Sequence, residues 1–226
     1  MLHIRKIVDA RTPAGAAIVA DAQALIRARF PGMPARDVDI LPEMLANPFA
    51  KRFVAVLLAA LDANERLKGA ALVLIDPELN FAWLDVIATA PAQRTGSGVG
   101  GALYDRVRQE AAEGGAEGLY FECLPDDPAL SPDPSVRLQN QARLKFYEQF
   151  GARPLMGTAY ETPTDPAVTD SPYLAIDTLG REGLPAVKDL QAAVRAILER
   201  KYAAICPPGY IDKVVASIQE GRVSHR

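Results

Sequence analysis

The chain has 226 residues, 49% hydrophobic and 23% charged, which is enough apolar material for a sizeable core and excludes a disordered chain. Its 25 basic and 28 acidic side chains leave a net charge of −3, and with no dense Lys/Arg stretch a nucleic-acid surface is not expected. Only two cysteines, Cys123 and Cys206, are present, so neither a disulfide framework nor a zinc site is expected, and the longest apolar run, 53–61, is too short to span a bilayer. Residues 1–15 carry no apolar signal core, and the expected compartment is a reducing cytoplasm with no membrane partner.

In chain order, residues 2–8 read as a strand and 14–30 as an alanine-rich helix that stops at Pro31-Gly32. Residues 38–46 read as a second, short helix. Strand-like runs at 53–61, 67–75 and 81–89 are separated by the turn compositions DANER and DPELN, which predicts an antiparallel meander. A helix then runs to Gly114-Gly115, with Val99, Ala102, Leu103 and Val107 on its packing face. Residues 118–124 form a fifth strand. The proline-rich loop PDDPALSPDPS comes next, and Ser135 is placed to cap a helix through Phe150. Residues 152–160 and 173–179 read as late strands. The spacing of Val187, Leu190, Val194, Ile197 and Lys201, then of Ile211, Val214, Val215 and Ile218, predicts two more helices. No internal repeat is visible, and the expected architecture is α/β with a mixed sheet.

Gly96, Gly98, Gly100 and Gly101 crowd the point where the helix after the third run of the meander must start, although glycine there costs roughly 0.5–1 kcal/mol per residue. A strand, a glycine-rich turn and a helix N-terminus together gather unpaired N–H groups and a positive dipole end, which suits a pyrophosphate. A P-loop would need Lys-Ser/Thr after the last glycine, where this chain has Ala102-Leu103. A Rossmann unit would put the glycines after the first strand of a βαβ unit, whereas here they come after a meander; the acids of LYFECLPDD keep that reading open as the weaker one.

The stretch LDVIATAPAQRTGSGVGGALYDRV resembles the strand, loop and helix of the GNAT superfamily of acyl-CoA N-acyltransferases, whose loop carries Gln/Arg-x-x-Gly-x-Gly/Ala. Gln93 to Gly98 fit that pattern literally. Anchoring on Ala102-Leu103 instead places Thr95 at the Gln/Arg position and pairs Gly98 with Gly100, and this register preserves the helix start. Further on, Asn140, Tyr147 and Gly151-Ala152 match a second family pattern, with Asn140, Leu144 and Tyr147 on one helical face and Leu138, Ala142, Phe146 and Phe150 on another.

The resemblance implies a GNAT-like fold over residues 1–179 with a helical extension over 180–226. It implies acetyl-CoA as cosubstrate, its pyrophosphate held by Arg94, Thr95, Gly96, Ser97, Gly98, Val99, Gly100 and Gly101. Asn140 also enters the cofactor site, and the backbone of Val86, Ile87, Ala88 and Thr89 pairs with the pantetheine between the fourth and fifth strands. Attack by an amine needs a proton acceptor, because an amine of pKa ~10 is almost wholly protonated at neutral pH. Glu122 and Asp85 are the two candidate bases, and Tyr147 is the candidate general acid toward the departing thiolate. The acceptor is a small primary amine or a lysine side chain.

Other features take blander readings. Phe81 and Trp83 are expected in the core, Cys123 buried and inert, and His3 and His225 without a catalytic part. Asp126, Asp127 and Asp133 form a solvated loop that could attract a cationic acceptor. Two further functions stay open: a non-catalytic acyl-CoA-binding module, and an interaction protein using the helices of 185–220. That tail could bind a partner, fold back on its own domain or form a homodimer contact.

Overall fold

A computed structural model describes residues 2–8, 10–47, 51–91, 98–161 and 171–226. The chain divides into two units, Met1–Ala116 and Glu117–Arg226.

In the first unit β1 (His3–Ile7) is followed by α1 (Pro13–Arg29), whose start is set by Thr12: its side chain accepts from Gly15 N at 3.1 Å. The single short helix expected over 38–46 is two helices, α2 (Ala35–Asp39) and α3 (Leu41–Ala46). Pro42 is the reason, since its ring would clash with the carbonyl of Val38 in a continuous helix.

The meander is present as β2 (Val54–Leu61), β3 (Leu67–Asp76) and β4 (Phe81–Thr89), and β1 pairs antiparallel with β2. Both turns are built by their first aspartate. Asp62 accepts from Asn64 N and Arg66 N, and Asp76 from Glu78 N and Leu79 N, while Glu65 and Asn80 adopt positive φ of 58° and 53°. From Gly69 to Asp76 every residue of β3 is buried, whichever way its side chain points, so both faces of the strand are covered. α1 and α4 (Val99–Glu113) both pack on it. Phe81 and Trp83 lie in this core, each 2% exposed.

In the second unit β5 (Gly118–Cys123) leads to α5 (Pro134–Glu148). The cap of α5 is Asp133 rather than Ser135. Its carboxylate accepts from Ser135 N at 2.7 Å and Val136 N at 3.2 Å, because Pro134, with its φ pre-set for helix, takes the first helical position and leaves Ser135 inside the first turn. The packed face is that of Asn140, Leu144 and Tyr147, whereas Leu138 is 66% exposed. The strand expected over 152–160 is only β6 (Arg153–Met156); Ala159–Glu161 is a 3₁₀ helix.

β7 (Tyr173–Asp177) pairs antiparallel with both β5 and β6. The C-terminal segment contains α6 (Val187–Lys201), α7 (Tyr210–Ser217) and β8 (Ser224–His225), which pairs with β6. Its helices do not stand free: Ala159 N donates to Ser217 Oγ at 2.7 Å, and Gln191 donates to the carbonyl of Ile218 at 2.8 Å. Among the described residues no helix is long and apolar enough to cross a membrane, and no group of three or more His, Cys, Asp or Glu could hold a metal ion.

Candidate functional site

The middle of β4 is irregular in a way the sequence pattern conceals. Leu84 lies opposite Val73 and Val86 opposite Leu72, so Asp85 has no opposite number on β3. It is the extra residue of a β-bulge, a feature that bends a strand and re-aims the residues beyond it. Before the bulge Phe81, Ala82, Trp83 and Leu84 are all buried. After it burial alternates, with Val86 and Ala88 inside and Ile87 and Thr89 half-buried. Asp85 is itself half-buried, and its carboxylate accepts from the indole N–H of Trp83 at 3.2 Å. The strand that the resemblance assigns to pantetheine is thus re-aimed at one carboxylate.

α4 begins ten residues beyond β4. Residues 92–97 lie outside the described residues, and with them the expectations on Arg94, Thr95, Gly96 and Ser97. Gly98 is the N-cap, with φ 77° and ψ −9°, and as a glycine it contributes no side-chain cap. An ideal Cβ on Gly98 would meet nothing within 4 Å. Val99, Gly100 and Gly101 form the first turn, whose N–H groups have no acceptor within the helix, and the first helical bond described runs from Ala102 N to Gly98 O at 2.9 Å. Those donors, at the positive end of the helix dipole and beside open space, fit a phosphate group.

The helix start is held down firmly. Val99 and Leu103 are buried, and an ideal Cβ on Gly69 of β3 would lie 2.8 Å from Leu103 Cδ1, 2.9 Å from Ala88 O and 3.2 Å from Val99 Cγ1. Only glycine lets the first turn of α4 sit this close to the sheet. Further along α4, buried Glu110 accepts from Lys6 Nζ at 2.5 Å and from Arg106. The start of α4 is therefore held by packing, and the helix further along by an ion pair.

In the second unit Asn140 and Tyr147 share the packed face of α5. Asn140 is buried and donates its amide to the carbonyl of Pro125 at 2.9 Å and to Ser131 Oγ at 3.5 Å, so its side chain braces the proline-rich loop. Tyr147, 7% exposed, packs at a tilt against Phe121 with centroids 4.4 Å apart and meets Phe146 edge-on at 5.1 Å. Burial, then the nearby Cys123, pushes its phenol well above 10, so it carries its proton at any working pH. Burial likewise pushes the Cys123 thiol up to about 11, the opposite of an activated nucleophile.

The carboxylates of the proline-rich loop each already have a partner. Asp127 accepts from Ala129 N, Asp133 caps α5, and Asp126 pairs with Arg226, which holds its carboxyl below the ordinary range.

Glu122 is exposed near the end of β5, and three tyrosines gather around it. Tyr160 Oη donates to its Oε1 at 2.7 Å and Tyr202 Oη to its Oε2 at 2.9 Å. Tyr210 Oη donates to the carbonyl of Tyr160 at 3.4 Å and lies within the field of Glu122. Burial and that carboxylate push the Tyr160 phenol well up, and burial pushes Tyr210 up to about 12, so both remain proton donors. These tyrosines were not legible as site residues. Positions 122, 160, 202 and 210 share no spacing, and the one available signal was that Tyr202 and Tyr210 end and begin helices with polar ends.

Solved structures share this arrangement of elements. An aminoglycoside 6'-N-acetyltransferase complexed with coenzyme A matches with a TM-score of 0.58 at 16% identity, over 80% of this chain and 99% of that one. An acetyltransferase of the GNAT family from Staphylococcus aureus matches with a TM-score of 0.52 at 13% identity, over 78% of this chain and 98% of that one. For Tetrahymena GCN5 the TM-score is 0.51 at 12% identity, over 77% and 94%. No protein-family model and no curated protein matches the sequence. The chain has the mixed α/β fold of the GNAT acyl-CoA N-acyltransferases.

Proposed function

We propose that this chain is an N-acetyltransferase that moves an acetyl group from acetyl-CoA to a primary amine, residues 1–179 forming the transferase and 180–226 a helical extension. The observation that carries the reading is the glycine-led start of α4 beyond a bulged β4, in a chain with this fold. The first-turn N–H groups of α4 take the pyrophosphate, and the backbone of Val86–Thr89 takes the pantetheine and polarises the thioester carbonyl.

The neutral amine nitrogen attacks the carbonyl carbon, the C–N bond forms, and the C–S bond breaks with its electron pair leaving on sulfur. The proton lost by the amine passes to a carboxylate, Glu122 or, failing that, Asp85, directly or through water. Tyr147 serves as the donor toward the sulfur. Because its phenol sits far above an ordinary thiol pKa of ~8.5, it stabilises the thiolate by hydrogen bonding more readily than by complete proton transfer.

The acceptor class is open between a small amine and a lysine side chain; an aminoglycoside acetyltransferase and GCN5 are both among the structures of similar fold. The test is CoA release from acetyl-CoA against simple amines, aminoglycosides, polyamines and lysine peptides. Release with at least one acceptor is expected. Acetyl-CoA binding without release would leave a non-catalytic binding module, and neither binding nor release would sink both readings.

A further inference from the structure

The C-terminal segment reaches Glu122 through a hydroxyl, and that contact is of an unusual kind for an exposed carboxylate. Both oxygens of Glu122 accept a phenol, Tyr160 on one and Tyr202 on the other, yet the side chain stays exposed. Glu122 is held in place without being covered.

The tyrosines are themselves fixed. Tyr160 sits in the 3₁₀ helix at 4% exposure, its neighbour Ala159 tied to Ser217 of α7 and its own carbonyl accepting from Tyr210. Tyr202 lies just past the last turn of α6, whose face of Leu190, Val194 and Ile197 is buried. Among the described residues Tyr160, Tyr202 and Tyr210 act on Glu122, Lys201 Nζ lies 5.1 Å from the Tyr202 ring centre, and Asp189 of α6 and Glu117 act on the neighbouring Tyr120. On β5 Tyr120 shares the face of Glu122, and the cross-strand residue on β7 is the apolar Leu174. Three neutral hydroxyl-bearing rings around one carboxylate suit a hydrogen-bonding cation.

We infer that Tyr202 and Tyr160 are positioning residues for Glu122, and that the segment after residue 180 is thereby a working part of the acceptor site, receiving the acceptor as a primary ammonium. This rests on the transferase reading above. A merely structural tie would hold the tail and leave the amine indifferent to it.

The experiment uses the full chain with ¹³C-labelled glutamate, the Glu122 carboxyl signal being assigned by its loss in Glu122→Gln. Removing a donor to the charged form weakens that form, so in Tyr202→Phe the Glu122 titration midpoint rises by about half a pH unit or more. In the same variant KM for the best amine rises roughly fivefold or more while KM for acetyl-CoA stays put. Tyr160→Phe moves both readouts in the same direction and guards against a local effect of Tyr202. Titration or amine KM unmoved in both variants, in an enzyme whose wild type releases CoA, overturns this inference alone. No release by wild type with any amine overturns the transferase reading first, and the acceptor role with it.

Discussion

Leu103 Cδ1 occupies the place that any side chain at position 69 would need, since an ideal Cβ on Gly69 falls 2.8 Å from it. The Ala88 carbonyl, 2.9 Å from the same point, is backbone of β4 and cannot step aside. Gly69→Val should therefore push the start of α4 off the sheet. The expected cost is about 1–3 kcal/mol in urea unfolding, with a weakened acetyl-CoA affinity in calorimetry. Unchanged stability and affinity would show that the close approach positions nothing.

At Gly98 space is open but the backbone is left-handed, with φ 77°. Gly98→Ala is expected to cost about 1–2 kcal/mol from that conformation alone. Gly98→Asp and Gly100→Glu, by adding a like charge where phosphate binds, should abolish acetyl-CoA binding while leaving the helix folded. Affinity within about twofold of wild type would remove the anion-site reading. Independently, CoA at 100 times its Kd should add ~2.7 kcal/mol of stability to the wild type and none to the aspartate variant.

Tyr147→Phe keeps the ring that packs on Phe121 and removes only the hydroxyl. Turnover should fall roughly 10²-fold or more, with KM for acetyl-CoA little changed. A variant that turns over like wild type would reduce Tyr147 to a packing residue.

The base is separated by pH. A carboxylate base works only when deprotonated, so kcat/KM falls on the acidic side of its titration, and that limb should flatten in Glu122→Gln. Should Glu122→Gln keep the limb and Asp85→Asn lose it, the base is Asp85, the bulge residue already engaged with Trp83. If neither variant alters it, the amine is deprotonated by solvent before binding.

The helix cap gives a stability test free of ligand. Asp133→Ala should cost about 1 kcal/mol in chemical unfolding, because two backbone donors lose their acceptor. Ser135→Ala should cost only a few tenths, within the scatter of ordinary surface changes. The reverse order would restore Ser135 as the cap.

The sequence by itself determined the local structure: the meander from its apolar runs and aspartate-led turns, the glycine-led start of α4, and the amphipathic helices of the tail. These are decided by hydrophobic period and turn chemistry, which act over a few residues. It was less reliable where two local signals compete. Pro42 split one expected helix and Pro134 moved a cap, both through a pre-set φ and a missing N–H.

Tertiary structure alone decided the rest. The bulge at Asp85 exists only in the register against β3, and Gly69 gains its meaning only from Leu103, which lies 34 positions away. Nothing near Glu122 in the chain announces Tyr160 or Tyr202, at separations of 38 and 80 residues. A hydrogen bond between distant side chains leaves no periodic trace in a sequence, because it depends on where whole elements pack rather than on how any one of them is built.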